Sequence, residues 1–335
     1  MVDEVIPAGE AEFRDELIGL LRDKMIRENP SSMHRDAHPK QHGLVKATFR
    51  ISEGIPEKYR SGVFQPGVCY DCWVRFSNQN APPLDDNDKD IRGVGIKLMN
   101  VPGEKFDVGD GNMTSQDFVL ISTPMFVTHD VKEFCLLVRA LVAGKLALLW
   151  HLLWHPRSAW NLVQSNKRFV SPLKTRYWST TPYQMGDNQV VKYSLIPPEV
   201  QEQKGKGLHP DYLRLALAEH LSSSEACFDF CVQVRSHPDE MPIEDSGKRW
   251  SETLSPFFKV AQLCIPKQCF DTEAQNIYGR DMSFSPWHSL AEHKPLGGIN
   301  RARRVIYNTL SHFRHQKNAV NREEPTDFSV PEADN

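Results

Sequence analysis

Near its C-terminal end the chain reads GGINRARRVIY over residues 297–307. Two glycines precede a run of good helix formers, so a loop is predicted to turn into a helix here. On that helix Arg303 and Tyr307 stand at i and i+4 and share a face. A guanidinium beside a phenol favours the phenolate, which at pH 7 requires about 4 kcal/mol from a reference pKa of about 10. A buried arginine acting with a bound metal ion could supply this. A surface Arg–Tyr pair, the plainer interpretation of the spacing, could not.

Length and composition set wide limits on the class of protein. The chain has 335 residues, a net charge of −3 and 25% charged residues, so it lacks the basic excess of nucleic-acid-binding proteins. Its first residues, MVDEVIPAGEAEF, are acidic and contain no apolar signal segment. Seven scattered cysteines indicate reduced thiols. We expect a cytoplasmic protein without a nucleic-acid partner.

Alternating β-branched and aromatic runs between turn residues predict about eight strands. They cover residues 44–51, 68–78, 94–100, 105–108, 116–122, 189–197, 227–235 and 257–266. Loops join most of them, which favours an antiparallel sheet or closed barrel over repeated βαβ units. Residues 10–27 have the spacing of a packing helix. The predicted fold class is α+β, an antiparallel eight-stranded β-barrel with flanking helices.

Residues 131–180 form an apolar interval that is predicted to be helical. Its centre, residues 134–160, reads FCLLVRALVAGKLALLWHLLWHPRSAW. Arg139 and Lys145 interrupt this run, which argues against a membrane span. One interpretation is a buried helix pair. The other is an amphipathic surface, carrying Trp150 and Trp154, that touches a membrane or admits an apolar substrate.

Five short motifs, taken in order along the chain, resemble those of haem catalases. They are RDAHPKQHG at 35–43, VRFS at 74–77, DIRGVGIK at 90–97, DFV with TPMF at 117–126, and R-x-x-x-Y at 303–307. Each motif alone is weak, but their common order covers most of the chain. The segment at 283–307 is similar to the small catalase-related haem peroxidases, and the chain is much shorter than an ordinary catalase.

The resemblance implies a catalase-like haem domain over residues 35–315 that holds haem b between the barrel and the C-terminal helix. Residues 1–34 would form an N-terminal helix and lead-in, and residues 316–335 a polar, disordered tail. Three arginines would pair with the haem propionates, because the guanidinium fork suits carboxylates. They are Arg35, Arg75 and Arg314. Phe134 would pack on the haem face, and Phe126 would line the pocket.

The resemblance also implies a catalytic or metal-binding role for each of the remaining residues. Tyr307 would ligate the iron as a phenolate, and Arg303 would keep the phenolate ionised. His38 would act as the acid–base group on the opposite haem face, moving a proton from the peroxide oxygen nearest the iron to the departing oxygen. Ser77 would support His38 through a hydrogen bond. The reaction would pass through a ferryl intermediate, which a second reductant returns to rest.

One position departs from the catalase pattern. The family places an asparagine two residues before the Thr-Pro of the distal segment, where its amide polarises peroxide, and here Ile121 takes that place. Ser122 follows, but it faces the other way on a strand. Loss of a preorganised donor could cost roughly 3–4 kcal/mol of transition-state stabilisation. We therefore expect weak hydrogen peroxide dismutation and favour peroxidase use, including reduction of organic hydroperoxides.

The prediction is an oxidoreductase acting on peroxide, with a hydroperoxide and an electron donor as partners. Two alternatives stay open, a fatty-acid hydroperoxide lyase or isomerase and a non-catalytic haem carrier or sensor. Ala37 weakens the first, because the family's allene oxide synthases have a threonine before the distal histidine. His38 argues against the second, since a carrier needs no proton shuttle. A homodimer and a weak membrane-surface contact through residues 134–154 are also left open.

Three other motifs have simpler explanations. His38 and His42 have the H-x3-H spacing of a helical zinc site, but the proline after His38 disfavours a helix. Cys69 and Cys72 lie three residues apart in a strand-like run, so their side chains point to opposite faces. The acidic run at 85–90 lacks the glycine and glutamate of an EF-hand.

Overall fold

The computed structural model describes residues 4–28, 32–106, 113–203 and 208–331. The strands in these ranges are β1 Lys40–Ile51, β2 Cys69–Asn78, β3 Arg92–Leu98, β4 Gln116–Ile121, β5 Tyr177–Trp178, β6 Tyr183–Met185, β7 Gln189–Ile196, β8 Ala226–Val234 and β9 Phe258–Ile265. The α-helices are α1 Glu10–Glu28, α2 Val131–Ala143, α3 Lys145–Trp154, α4 Pro156–Ser165, α5 Tyr212–Ser223, α6 Glu273–Asp281 and α7 Gly298–Asn318.

The strands form one antiparallel sheet that closes on itself. Its order is β5-β4-β3-β2-β1-β9-β8-β7-β6, and β5 pairs in addition with β7. The closing pairs join Tyr177 to Leu195 and Trp178 to Ser194. Eight strands therefore make a closed barrel, and the short β6 pairs with β7 beside β5. Closure leaves the ring without a free strand edge. The predicted α+β fold with an eight-stranded antiparallel barrel is confirmed.

Aromatic side chains fill the barrel interior. Phe49, Phe64, Phe118, Tyr193 and Phe230 are all essentially inaccessible to solvent. The rings of Phe118 and Phe230 have centroids 4.7 Å apart. A barrel of this size is filled by its own side chains, so a ligand has to bind on its outer face. Because side chains alternate along each strand, the residues between these core positions face outward.

Helices α1, α2 and α7 pack together beside the barrel. Leu17, Leu21 and Met25 of α1 share one apolar cluster with Val138 of α2 and Ile306 of α7. This confirms the packing helix predicted at residues 10–27. Helix α7 begins at the glycine pair, as predicted. In the described ranges, no helix is both long enough and apolar enough to cross a membrane.

The first glycine of that pair, Gly297, is required by its surroundings. It adopts φ +83°, a conformation that favours glycine. A Cβ at this position would lie 2.5 Å from the carbonyl oxygen of Ile243. The start of α7 is therefore held where only glycine fits.

The prediction that residues 131–180 are helical is wrong for the last part of this interval. Helices α2, α3 and α4 account for it as far as Ser165, and residues 177–178 form β5 instead. A strand of two residues has no periodicity for sequence reasoning to detect. The predicted strand at 105–108 is reduced to a bridge between Lys105 and Leu290, and residues 107–108 lie outside the described ranges.

The expectation of reduced thiols fails for one pair. Cys227 and Cys264 form a disulfide between directly opposite positions of β8 and β9. The two residues are 37 apart in sequence, and only the strand register brings them together. The other five cysteines are free, with Cys69 exposed and Cys72 buried, as the opposite-face prediction requires.

The tail also differs from its prediction. Helix α7 continues to Asn318, and the chain that follows packs on the barrel. The rings of Phe328 and Trp73 lie 5.4 Å apart. Glu324 pairs at 2.8 Å with Lys97, a fully buried cation. Lys97 also pairs at 2.9 Å with Asp117, so Glu324 is a second carboxylate at this buried ammonium and anchors the polar tail to the barrel. Residues 332–335 lie outside the described ranges.

Candidate functional site

A cavity of about 380 Å³ lies between the outer face of the barrel and helices α1, α2 and α7. Every residue that the sequence predicts for the site lines this cavity. They are Arg35, His38, Arg75, Ser77, Phe126, Phe134, Arg303, Tyr307 and Arg314. Residues from positions 35 to 314 thus meet on one surface, and their individual roles stay predictions.

Three neighbouring strands build the barrel wall of the cavity. The register places Gly95 of β3 opposite Arg75 of β2, and Gly93 opposite Ser77. On its other side Gly93 faces Ile121 of β4. These residues share the outward face because side chains alternate along a strand. The two glycines leave an open trough in the middle of the wall.

Ring systems fill that trough from outside the sheet. A Cβ on Gly93 would stand 2.4 Å from the imidazole of His38, and one on Gly95 would stand 2.8 Å from the ring of Phe284. Real Cβ contacts are essentially never so short. Both rings can therefore lie this close to the sheet only because these positions are glycine.

His38 is held in a strained conformation by hydrogen bonds. Its φ is +58°, which is uncommon for a residue with a side chain. Its amide donates to Gln79 O at 3.0 Å, and its carbonyl accepts from Arg75 Nη2 at 3.0 Å. Such strain persists only where the surroundings over-determine it, and it clusters at functional sites. The backbone thus fixes where the imidazole stands.

The imidazole itself is held in a neutral state. Nδ1 of His38 lies 3.1 Å from Ser77 Oγ. Burial, together with the positive charges of Arg75, Arg303 and Arg35, lowers the pKa of His38 to about 3. A neutral imidazole that donates from Nδ1 to Ser77 keeps Nε2 free to accept a proton. At neutral pH the imidazole can therefore accept a proton at Nε2, and it can donate only the proton that it has accepted.

Three guanidinium groups lie together in the cavity wall. Arg75 and Arg314 are buried, and Arg35 is partly buried. Each donates to backbone carbonyls of the segment 279–282, and Arg75 also donates to His38 O. Backbone carbonyls satisfy the N–H donors but carry no net charge.

The cluster therefore holds more positive than negative charge. Within the described ranges, the one carboxylate within 4.0 Å of these guanidinium groups is Asp281, whose Oδ1 is 3.7 Å from Arg314 Nη1. Burial, and then the charge of Arg314, lowers the pKa of Arg75 to about 9. Burial also lowers the pKa of Arg314, to about 10. Desolvated cations of this kind are stabilised by an anionic ligand.

Arg303 and Tyr307 share a face as predicted, since both line the cavity. They are not hydrogen-bonded to each other. Among the described residues, Arg303 Nη1 donates to Thr181 Oγ1 at 3.3 Å and to Asn300 Oδ1 at 3.4 Å. Its guanidinium lies 5.4 Å from the ring centroid of Phe126. The role predicted for Arg303, to keep the Tyr307 phenolate ionised, stays a prediction.

An apolar wall completes the cavity on the side of β4. Ile121 packs in one cluster with Val127 and Leu137, joined by residues of α3 and α4. Ser122 is buried, and its hydroxyl accepts a hydrogen bond from Arg92 N at 2.9 Å. It does not line the cavity, in agreement with its predicted orientation. Ser122 therefore does not replace the amide that the catalase pattern has at position 121.

Sequence reasoning overlooked three cavity residues. Gly93 and Gly95 are spaced by two within a strand, a pattern that indicates close approach of another group. Asn308 follows Tyr307, and its buried Oδ1 has no hydrogen-bond partner in the described part of the chain. It lines the cavity and carried no sequence signal.

Hydrogen bonds account for most of the ligand atoms in the alternative metal motifs, although His151 Nε2 is buried without a partner among the described residues. His42 is buried and its Nε2 lies 2.6 Å from Asn78 Oδ1, so it is structural. Among the described residues, one other group has metal-ligand composition, Glu133 with His151 and His155. Ser158 Oγ donates to Glu133 at 2.6 Å, and His155 Nδ1 donates to His151 O at 2.8 Å. The cluster joins α2, α3 and α4.

Taken together, fold and cavity define a barrel protein with the catalase fold. A fungal catalase matches with a TM-score of 0.69 and 17% identity, over 88% of this chain and 62% of that one. A bacterial catalase matches with a TM-score of 0.66 and 17% identity, over 89% and 60% of the two chains. Catalase A from Saccharomyces cerevisiae matches with a TM-score of 0.66 and 16% identity, over 89% of this chain and 64% of that one.

This chain thus spans about three fifths of the length of each of these catalases. At these identities the likeness concerns the fold. No family model matches the sequence, and no curated protein matches it either.

Proposed function

We propose that the protein is a haem-dependent hydroperoxidase of the small catalase-related type. It would reduce hydrogen peroxide or organic hydroperoxides at the expense of a separate electron donor, with peroxidase turnover favoured over oxygen release. One observation carries the proposal: neutral His38, hydrogen-bonded to Ser77, lines the same cavity as Tyr307 and the three guanidinium groups. This set combines a residue that can move protons, a tyrosine oxygen that can ligate a metal and an anion-binding site.

The residues present fit haem b. Arg35, Arg75 and Arg314 would hold its two propionates, whose charges would offset the excess positive charge of the cluster. Tyr307 offers a phenolate to the iron. Phe134 and the apolar residues of α1 and α7 would cover the macrocycle. When bound, the haem supplies a redox-active iron that accepts the oxidising equivalents of the hydroperoxide.

The chain's own residues move the protons. Nε2 of His38 takes a proton from one oxygen of the hydroperoxide and returns it to the other as the O–O bond breaks. The departing oxygen leaves as water or an alcohol, so no alkoxide has to form. Ser77 Oγ, 3.1 Å from Nδ1, would accept from Nδ1 and so hold the tautomer in which Nε2 can act. The electron donor then provides two electrons and two protons, and the remaining oxygen is released as water.

The preference for peroxidase turnover rests on Ile121. Oxygen release needs a second peroxide to be oriented and oxidised, and the amide that the catalase pattern provides for this is absent. Ile121 instead adds a methyl-rich surface next to Gly93 and His38. An apolar wall disfavours hydrogen peroxide relative to an organic hydroperoxide, whose hydrocarbon part gains from burial.

A fatty-acid hydroperoxide lyase or isomerase is the second candidate. The apolar wall from Ile121 to α3 and α4 favours it, since a long acyl chain would lie along such a surface. This reaction needs no electron donor. A haem carrier or sensor has less support, because neither task uses the histidine and serine pair.

One experiment separates these functions. The apoprotein is loaded with haem and supplied with hydrogen peroxide, tert-butyl hydroperoxide plus an oxidisable dye, or a fatty-acid hydroperoxide alone. We expect dye oxidation to exceed oxygen release, and His38→Ala to lower dye oxidation by about 100-fold or more. Full dye oxidation in His38→Ala would contradict the assigned shuttle, and turnover without a donor would favour the lyase. A protein that cannot bind haem would overturn the proposal.

The iron ligand has its own test. Tyr307→Phe should lose the absorption of a ferric phenolate, whereas Tyr183→Phe should keep it. Tyr183 is the matched control because it is a buried tyrosine near Arg303 that does not line the cavity. An unchanged spectrum in Tyr307→Phe would exclude it as the ligand.

A further inference from the structure

Helix α3 presents an apolar face to solvent. Leu146, Leu149, Trp150, Leu153 and Trp154 follow the i, i+3, i+4, i+7, i+8 pattern of one helix face, and each is between 64% and 84% exposed. A surface helix normally turns such a stripe toward the core. This stripe points away from it, and a contiguous exposed apolar surface marks an interaction site.

The side of α3 that faces the protein is apolar as well. The exposed stripe is therefore a second apolar face, in addition to the one that packs on the core. Leu148 and Leu152 pack into the cluster of Ile121, Val127 and Leu137. With ten residues, α3 is too short to span a bilayer. A short helix that is apolar on its free side suits the interface plane of a membrane, where that side reaches the acyl chains.

The chemistry of the face favours a bilayer over a second copy of this chain. Trp150 and Trp154 pack edge to face, with centroids 5.9 Å apart, and indoles prefer the level of lipid headgroups. Helix α3 itself carries one cation, Lys145, and no Asp or Glu. Of the seven Lys and Arg between residues 134 and 186, five pair with carboxylates from elsewhere in the chain. The indole and leucine side chains of α3, more than net charge, therefore supply the attraction to a bilayer.

The cavity reaches this face. Leu141 of α2, Leu148 of α3 and Leu162 of α4 line it, and Leu141 is also 51% exposed. The same wall continues inward to Ile121, the cross-strand partner of Gly93. An acyl chain that left a bilayer at α3 would pass apolar side chains until it came to His38.

We propose that the outward face of α3 docks on a phospholipid bilayer and that the cavity takes lipid hydroperoxides from it. The substrate class rests on the hydroperoxidase function proposed above, whereas the docking does not. The lipid O–O bond would break, giving a lipid alcohol and one water for two electrons and two protons from the electron donor.

Docking is tested without haem. Full-length protein is mixed with vesicles of phosphatidylcholine alone or with a quarter phosphatidylglycerol, and the bound fraction is separated by flotation. Leu149→Gln combined with Leu153→Gln should lower the bound fraction at least about tenfold. The control combines Leu215→Gln with Leu254→Gln, which are exposed leucines away from α3 and from the cavity. It should bind as the wild type does.

Substrate access is tested with haem-loaded protein. The α3 double variant should consume phosphatidylcholine hydroperoxide in vesicles at least about tenfold more slowly, with tert-butyl hydroperoxide turnover unchanged. Docking without any hydroperoxide turnover would refute the proposed function and leave the docking standing. No flotation with either vesicle, or flotation that the α3 variant retains, overturns the docking. The docking is also overturned if the wild type sediments as a dimer, the α3 variant sediments as a monomer, and the protein does not bind vesicles.

Discussion

The imidazole of His38 lies against Gly93, so closely that a Cβ on residue 93 would stand 2.4 Å from the ring. His38 comes from the loop before β1 and Gly93 from β3. The histidine stands above the sheet at Gly93, one of the two positions of β3 that have no side chain. A single methyl group at this position should therefore move the proton shuttle without touching the predicted iron ligand.

Gly93→Ala should abolish most of the peroxide reaction while haem binding persists. The added methyl displaces the imidazole, and loss of a positioned acid–base group costs about 100-fold in rate. Stopped-flow absorbance of the haem-loaded protein measures the reaction, and the ferric spectrum reports haem binding. Gly54→Ala is the control, because a Cβ there meets no atom within 4 Å. A Gly93→Ala variant with wild-type rates would contradict the assigned role of His38.

Ile121→Asn should raise oxygen release from hydrogen peroxide. The new amide would stand beside Gly93 and His38, where the catalase pattern has its asparagine. A preorganised donor is worth about 100-fold in rate, so a gain of about 10- to 100-fold is expected. An oxygen electrode measures it. Val119→Asn, which also lines the cavity but lies one row away beside Gly95, should give no gain. Equal gains in both variants would contradict the positional argument.

Arg314→Gln should weaken haem binding through the propionates. Loss of a charged hydrogen bond corresponds to about 10- to 100-fold in affinity, measured by titrating apoprotein with haem. Haem dimethyl ester, which lacks the carboxylates, should bind wild type and variant equally. Arg50→Gln, on the exposed part of β1, is the control. Equal weakening for haem and its ester would show that Arg314 acts on the fold instead.

Acid should destabilise the protein from about pH 6.5 downward. Burial lowers the pKa of His42 to about 4 and that of His293 to about 3, whereas both titrate near 6.5 in the unfolded chain. The unfolded state therefore binds more protons below pH 6.5, and stability is full above that value. Each imidazole should account for about 2 kcal/mol between pH 7.5 and pH 5.

Urea unfolding at the two pH values measures this loss. His42→Gln should show a smaller difference between them than the wild type, because one buried titrating group has gone. His237→Gln, an exposed histidine, should match the wild type. If His42→Gln kept the full difference, acid sensitivity would arise elsewhere.

The disulfide should contribute to stability under oxidising conditions. Closing a loop of 37 residues lowers the entropy of the unfolded chain by an amount worth about 4 kcal/mol. Cys227→Ser with Cys264→Ser should lower the urea midpoint accordingly, and dithiothreitol should do the same to the wild type. Cys69→Ser with Cys269→Ser, both exposed and free, is the control and should leave the midpoint unchanged.

Much of the barrel could be predicted from the sequence because its signals are local. Alternation along β1, β2, β4, β7, β8 and β9 is a property of neighbouring residues, and so is the helical spacing of α1. The start of α7 followed from the glycine pair before it. The candidate site followed from motifs in their order along the chain, and the structure brings all nine of its residues to one cavity.

What the sequence could not supply depends on contacts between distant segments. The strand β5 closes the barrel with two residues, too few to form a pattern. Cys227 meets Cys264 only through the register of β8 and β9, and the tail is anchored where Glu324 joins Asp117 at the buried Lys97. Arg303 and Tyr307 illustrate both sides. Helical spacing by itself determined that they share a face, since that is set by 3.6 residues per turn. The partners of the guanidinium, Thr181 and Asn300, were decided by tertiary packing, because a long side chain takes whichever acceptors surround it.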